Sequence, residues 1–247
     1  MTKKLTSRLA VFAGSLLLAF SAFASEGGNT LQAGNDLTDQ ASLQRGAQLY
    51  MNNCSGCHSL KYMRYSRIAE DLGLTEAEVM DNLNFTGAKF GEQVKVSMPH
   101  DPASKWFGKM PPDLSLISRV RGSDWIYTYL KSFYLDESRP LGWNNKLFPN
   151  ASMPNPLWQL QGLQHAEMSE PDAIGERHVE SLKVTQPGTQ TPAQFDQTAR
   201  DITNFLEYVG EPAALKRQSM GVWVILFLVA LTFLAFLLKQ EYWKDVH

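Results

Sequence analysis

The pentapeptide Cys54-Ser55-Gly56-Cys57-His58 holds the residues of this sequence that are best suited to chemistry. The spacing Cys-x-x-Cys-His is the attachment motif of c-type haem. Two thiols three positions apart can each add to one vinyl group of a porphyrin, and the adjacent His58 can then bind the iron. Cys54 and Cys57 are the only cysteines in the chain. Their number therefore predicts one covalently bound haem c and no structural disulfide.

Other uses of the two cysteines stay open at this point. A thioredoxin-type redox pair would lie in a β-α-β context, which the sequence around the motif does not show. A disulfide across the short loop is a second alternative. A zinc site would combine both thiols with two of the five histidines, although no His-x(3–5)-His pair is present.

The second axial ligand of a haem iron has several candidates in this chain. Met98, Met110 and Met153 each precede a proline, and such segments are stiff and extended, which suits a loop that holds a thioether over a flat ring. Their order relative to the predicted helices favours Met153. His100 is the main alternative and would give a haem with two histidine ligands. A methionine ligand raises the reduction potential relative to a second histidine.

Three amphipathic helices position these residues. Apolar side chains recur at helical spacing over residues 41–53, 122–134 and 192–209. The first helix ends where the haem motif begins. The third is preceded by Thr191-Pro192-Ala193-Gln194, which predicts a capping box with proline at the first helical position.

The segments between these helices are long and irregular. Residues 84–113, 136–157 and 185–192 are rich in Pro, Gly and Asn and are predicted loops, while the alternation over 179–185 predicts one arm of a small β-hairpin. Loops of this length are uncommon in a compact domain unless another group organises them, and a buried cofactor could do so. The predicted fold class is therefore mostly α, a c-type cytochrome domain with long loops and a possible small β-hairpin.

The C-terminal part of the chain predicts a membrane anchor. Residues 218–238 contain no charged side chain, and at about 1.5 Å per residue they span about 30 Å, the thickness of the hydrocarbon core. This stretch is predicted to be one transmembrane helix, joined by a linker at 211–217 to a cytochrome domain over 25–210.

The N-terminal part predicts export. Residues 1–24 have a positively charged start, an apolar segment and a small-x-small cleavage site, which are the features of a secretory signal peptide. An uncleaved N-terminal anchor is the alternative. Export would place the haem domain on the periplasmic side of a bacterial inner membrane and residues 239–247 in the cytoplasm.

Composition bounds the function further. The chain has 247 residues, 44% of them hydrophobic, and a formal net charge of −2. This composition can bury a core. It shows no cluster of Lys and Arg of the kind that nucleic-acid binding requires, so no nucleic-acid partner is expected.

Three segments resemble the cytochrome c1 family, the haem subunits of quinol–cytochrome c reductase, in its bacterial form. They are the haem motif with the residues up to Tyr65, the stretch 111–115 (Pro-Pro-Asp-Leu-Ser), and the stretch 148–158 with Met153-Pro154 at its centre. The similarity covers the whole chain after the predicted signal peptide. The residues 150–152 (Asn-Ala-Ser) depart from the glycine-containing loops of that family.

The resemblance implies a one-electron carrier that is not an enzyme by itself. It implies transfer from a Rieske iron–sulfur protein to cytochrome c, beside cytochrome b, in a dimeric complex. It also implies that Met153 is the second iron ligand and that Arg119 or Arg121 lies near a haem propionate. Pro111 is the expected carbonyl acceptor for the second ring nitrogen of His58, because a proline keeps its carbonyl free.

Three other functions remain as alternatives. Another membrane-tethered cytochrome, such as an oxidase subunit, would share the same haem chemistry. A haem-based sensor or peroxidase would need an open sixth position on the iron. A tethered thiol oxidoreductase would use Cys54 and Cys57 without any haem.

Overall fold

The computed structural model describes residues 30–171 and 177–245. Roughly half of these residues are helical, and the short strands pair in antiparallel hairpins. The predicted fold class, a helical domain with long loops, a small hairpin and a C-terminal apolar helix, is confirmed. The predicted signal peptide, residues 1–24, lies outside the described residues.

The described elements follow one another in this order. The helices are α1 (Gln40–Asn53), α2 (Tyr65–Leu72), α3 (Glu76–Asn82), α4 (His100–Phe107), α5 (Ile117–Arg121), α6 (Ser123–Lys131), α7 (Trp158–Gln161), α8 (Pro192–Gly210) and α9 (Ala214–Trp243). The strands are β1 (Leu60–Arg64), β2 (Gln93–Val94), β3 (Phe133–Leu135), β4 (Trp143–Asn145), β5 (Gly162–Met168) and β6 (Val179–Pro187). Strands β1 and β2, β3 and β4, and β5 and β6 form three separate antiparallel pairs.

Helices α1 and α8 form the centre of the core because a glycine lets them approach closely. A Cβ atom on Gly46 would lie 2.0 Å from the backbone oxygen of Asp201 and 2.7 Å from Cβ of Phe205. The close approach brings the ring of Tyr50 to 5.7 Å from that of Phe205, and both side chains are fully buried. The α1–α8 crossing therefore depends on the absence of a side chain at residue 46.

A buried carboxylate orients the same two helices. Asp201 on α8 accepts hydrogen bonds from Ser42 Oγ at 2.7 Å, from Arg45 Nε at 2.7 Å and from Gln197 Nε2 at 2.8 Å. A buried charge that lacks such partners is strongly destabilising. The network therefore specifies which face of α8 meets α1.

Two of the predicted helices are confirmed. The helix expected over 41–53 is α1, and the one expected over 192–209 is α8. The capping box is also present, since Thr191 Oγ1 accepts from the backbone N–H of Gln194 at 3.3 Å, and the Gln194 side chain accepts from the backbone N–H of Thr191 at 2.9 Å.

The helix expected over 122–134 is too long. Helix α6 ends at Lys131, and the next residues form β3, which pairs with β4. Side-chain amides bind the carbonyl groups at the helix end: Asn145 Nδ2 donates to Tyr129 O at 2.9 Å, and Gln164 Nε2 donates to Lys131 O at 3.0 Å. These distant partners end the helix, and the local apolar pattern does not reveal them.

The predicted loops contain short elements that the sequence did not indicate. The stretch 84–113 contains β2 and α4, and the stretch 136–157 contains β4. Helix α4 tolerates Pro102 because a proline in the first turn removes no helical hydrogen bond. The segment 179–185 is confirmed as part of a hairpin arm, although β6 continues to Pro187.

Helix α9 contains the predicted membrane span. It is the one helix among the described residues that is long and apolar enough to cross a membrane. The helix begins at Ala214, within the stretch expected to be a linker at 211–217, and continues to Trp243. The non-helical connection between α8 and α9 is therefore shorter than predicted.

The contact at Gly46 predicts a measurable loss of stability. We expect Gly46→Ala in the full-length, detergent-solubilised protein to lower the free energy of unfolding by roughly 1–3 kcal/mol, because the new methyl group overpacks the α1–α8 interface. Gly91→Ala is the control, since a Cβ there meets nothing within 4 Å. Urea denaturation followed by circular dichroism measures both variants, and equal stabilities would show that the interface can relax.

Candidate cofactor site

A cavity of about 400 Å³ lies beside the core, next to the haem motif. Its size falls within the range of about 300–1,000 Å³ that is usual for ligand and cofactor pockets. The end of α1, the segment that precedes α5, helix α6 and the loop before α7 contribute to its walls. Most of the wall is apolar or aromatic, with side chains that include Leu114, Ile117, Trp125, Ile126, Tyr129, Leu130, Phe148, Ile202 and Leu206.

The haem motif forms a tight turn at the end of α1. The backbone N–H of Cys54 donates to Tyr50 O at 2.8 Å, and those of Cys57 and His58 both donate to Cys54 O, at 3.0 and 2.9 Å. This turn brings both cysteines and the histidine to the cavity wall. The three residues of the motif, Cys54, Cys57 and His58, thus lie together on one wall of the cavity.

The two thiols are separate and protonated. Cys54 and Cys57 are not joined by a disulfide. Burial raises the pKa of the Cys54 thiol to about 12 and also raises the pKa of Cys57. Thiol oxidoreductases depend on a cysteine whose pKa is lowered. The site therefore argues against the alternative of a thiol oxidoreductase.

Zinc is also disfavoured. Within residues 30–171 and 177–245, no group of three or more His, Cys, Asp or Glu side chains comes together as a metal site. Structural zinc requires four such ligands in most proteins.

The His58 ring is held in one orientation by a hydrogen bond to the proline segment. Its Nδ1–H donates to the carbonyl oxygen of Pro112 at 2.7 Å, so the Nε2 atom keeps a free lone pair. Burial lowers the pKa of the imidazole, which keeps the ring neutral. Tyr50 Oη donates to the His58 carbonyl at 2.8 Å and fixes the backbone beneath the ring.

The choice of Pro111 as the carbonyl acceptor is wrong by one residue. The backbone N–H of Leu114 donates to Ser59 O at 2.9 Å, which sets the register of the proline segment and places Pro112 opposite His58. Pro111 lines the cavity instead. Both prolines have a free carbonyl, and only the tertiary register distinguishes them.

The four candidates for the second iron ligand divide into two groups. Met110 and Met153 line the cavity, whereas Met98 and His100 are not among its lining residues. Met110 lies two residues before Pro112, and an extended dipeptide spans about 7 Å. Met110 thus belongs to the same segment as the carbonyl that binds the imidazole, whereas Met153 comes from a different part of the chain.

The loop that carries Met153 is held by polar side chains. Asn150 has a left-handed backbone with φ of 64°, a conformation that asparagine tolerates better than most residues. Its N–H donates to Asn144 Oδ1 at 2.8 Å, and its carbonyl accepts from Arg139 Nη2 at 3.1 Å. The stretch 150–152, which departs from the glycine-containing loops of the family, thus begins with a residue in the left-handed conformation.

Tyr129 belongs to the site, although the sequence did not identify it as a candidate site residue. Its hydroxyl oxygen lies 3.7 Å from Sδ of Met153 and donates to it. Burial raises the pKa of Tyr129 to about 12, so the hydroxyl keeps its proton at neutral pH. Tyr129 lies within the predicted helix 122–134, but no local signal joins it to a methionine 24 positions away.

The two candidate arginines differ in position. Arg121 lines the cavity, and its guanidinium carbon lies 5.1 Å from the ring centre of Trp125 and 5.7 Å from that of Phe148. Arg119 is absent from the lining residues and pairs with Glu211 at 2.6 Å. The structure thus brings together the expected residues Cys54, Cys57, His58, Pro111, Arg121 and Met153, and leaves Arg119 outside.

Comparisons with known proteins find relatives that cover most of this chain. Residues 35–246 match the Cytochrome C1 family. A cytochrome c1 of Allochromatium vinosum is 53% identical over 244 residues, which cover 97% of this chain and 100% of that protein. The ammonia monooxygenase gamma subunit of Nitrosomonas europaea is 42% identical over 212 residues, 86% of each chain. The mitochondrial cytochrome c1 heme protein of Schizosaccharomyces pombe is 30% identical over 235 residues, 84% of this chain and 68% of the yeast protein.

Proposed function

The chain belongs to the cytochrome c1 family, and from this premise we propose that it takes one electron from a Rieske iron–sulfur protein and passes it to cytochrome c. The covalently bound c-type haem of this family supplies the chemistry, because its iron can take up and release one electron. The chain is an electron-transfer subunit of the cytochrome bc1 complex, and the assembled complex, ubiquinol–cytochrome c reductase, is the enzyme. One cavity lined by Cys54, Cys57 and His58 carries the proposal.

The residues present fit the haem. Cys54 and Cys57 would hold it through two thioether bonds, and their protonated thiols can supply the sulfur and hydrogen that add across each vinyl group. His58 would bind the iron through Nε2, since its other ring nitrogen is occupied by the Pro112 carbonyl. The apolar wall around them would limit the access of water to the bound group, and such surroundings help to set the reduction potential of a haem.

Met153 would be the second side chain that binds the iron. It lines the same cavity as His58 but comes from the loop before α7. With His58 and Met153 both bound to it, the iron would have no free position for oxygen, carbon monoxide or peroxide. This argues against a sensor or a peroxidase, and a methionine ligand suits a high-potential carrier.

Arg121 is the proposed partner of a haem propionate. Its side chain lines the cavity, and its guanidinium carbon lies 5.1 Å from the ring centre of Trp125 and 5.7 Å from that of Phe148. Arginine presents several N–H donors in a plane, which matches a carboxylate. Arg119 is the second candidate, and its existing pair with Glu211 argues against it.

The chain is a membrane-anchored subunit, and α9 is its anchor. The haem domain is proposed to lie on the periplasmic side of a bacterial inner membrane, with the residues after α9 in the cytoplasm. The predicted signal peptide at 1–24 supports this orientation. Cytochrome b and the Rieske protein are the proposed neighbours, in a complex that contains two copies of each subunit.

Purification of the tagged full-length protein from membranes in mild detergent tests its place in the complex. We expect b-type haems and a Rieske cluster to accompany it. We also expect added quinol to reduce its haem before added cytochrome c is reduced. If the protein instead co-purifies with oxidase subunits, and without b-type haems or a Rieske cluster, it belongs to a different electron-transfer pathway.

Substitution of Met153 tests the axial ligand. Met153→His should lower the midpoint potential by at least about 100 mV, within the range of about 0.8 V over which axial ligands and their surroundings set haem potentials. Met98→Leu is the matched control, since Met98 is not a lining residue. A redox titration of the visible spectrum measures both, and an unchanged potential in Met153→His would exclude Met153.

Paired arginine variants test the propionate partner. A positive charge near the iron destabilises the ferric state, so Arg121→Gln should lower the potential by roughly 20–60 mV, equivalent to about 0.5–1.5 kcal/mol. Arg119→Gln should leave it nearly unchanged. The same titration serves for both variants, and the opposite pattern would move the assignment to Arg119.

A further inference from the structure

The Tyr129 side chain makes a contact that neither the motif nor the family resemblance indicates. Its hydroxyl donates to Sδ of Met153 at 3.7 Å, a distance consistent with a hydrogen bond to sulfur. Tyr127, on the same helix, has its hydroxyl beside Lys131 Nζ at 3.2 Å and does not line the cavity. The two tyrosines therefore differ in what their hydroxyl groups bind.

The ring of Tyr129 is held in place from two sides. It stacks on Trp125 with ring centres 4.9 Å apart and planes at 11°, and it meets the edge of Phe133 at 4.9 Å and 68°. Such aromatic pairs contribute to stability beyond the area they bury. The hydroxyl thus has little freedom to leave the sulfur.

Asn145 on strand β4 binds both the helix that carries Tyr129 and the segment that leads to Met153. Asn145 on β4 is fully buried and donates through Nδ2 to Tyr129 O at 2.9 Å. Its Oδ1 accepts from the N–H groups of Leu147 and Phe148, each at 3.0 Å, at the start of the segment that leads to Met153. One side chain thereby links the helix that carries the hydroxyl to the loop that carries the sulfur.

We propose that Tyr129 is a positioning residue that holds the Met153 thioether through a hydrogen bond to its sulfur and so raises the reduction potential of the site. The inference rests on the proposed role of Met153 as iron ligand. A hydrogen bond to the sulfur withdraws electron density from it, which weakens its donation to iron and disfavours the ferric state. The bond also restrains the thioether against leaving the metal.

The test compares hydroxyl deletions in the full-length, haem-loaded protein. Tyr129→Phe should lower the midpoint potential and shift the methionine–iron charge-transfer band of the oxidised protein, because the sulfur regains electron density. It should also increase the rate of carbon monoxide binding to the reduced protein severalfold, because the restraint on the thioether is lost. Tyr127→Phe is the matched control and should change none of the three. Tyr129→Leu provides the same comparison if the phenylalanine variant does not accumulate with haem.

Each result decides between definite alternatives. An unchanged potential and band in Tyr129→Phe, or an equal change in Tyr127→Phe, overturns the role of the Tyr129 hydroxyl while leaving Met153 ligation intact. Absence of the methionine–iron band from the unmodified protein overturns the ligand assignment and the present proposal with it.

Discussion

The close contact of α1 with α8 at Gly46 is the constraint on which the site depends. Because no side chain separates the helices at that point, α1 lies directly on α8, and the buried Asp201 network sets their relative orientation. The haem motif begins where α1 ends, so this contact also determines where Cys54 and the residues after it lie. Ile202 and Leu206, on the same helix α8, form part of the cavity wall.

The two sides of the cavity are held by different kinds of interaction. On the His58 side, backbone hydrogen bonds align the proline segment with the residues after the motif, so the imidazole meets a carbonyl that has no competing partner. On the Met153 side, Asn144 and Asn145 bind the backbone N–H groups of a loop that has no regular structure. Side-chain amides can satisfy such groups where no sheet or helix is available. Both cysteines of the chain belong to the haem motif, so neither is left to tie this loop down by a disulfide. The side-chain amides hold the loop instead.

Burial gives the site its chemical character. Both thiols keep their protons, and the imidazole stays neutral with its lone pair available, because burial disfavours the charged forms of these three groups. Arg121 is a cation on the cavity wall, close to the rings of Trp125 and Phe148. It could therefore bind a negatively charged group of a ligand. An environment of this kind suits a carrier whose potential depends on restricted access of water.

The sequence alone determined the chemistry of the site, since Cys54, Cys57 and His58 are adjacent in the chain and their spacing already matches a haem. It also determined α8, whose cap and apolar face are local, and the apolar segment of α9, which is defined by composition.

Only the tertiary structure chose Pro112 over Pro111, placed Arg121 at the cavity and Arg119 away from it, ended α6 at Lys131, and brought Tyr129 to the Met153 sulfur. Each of these outcomes depends on a partner that is distant in the chain, such as Ser59 for the proline segment or Asn145 for the end of α6. Such contacts are absent from the local pattern of residues because they form only when the core brings the segments together.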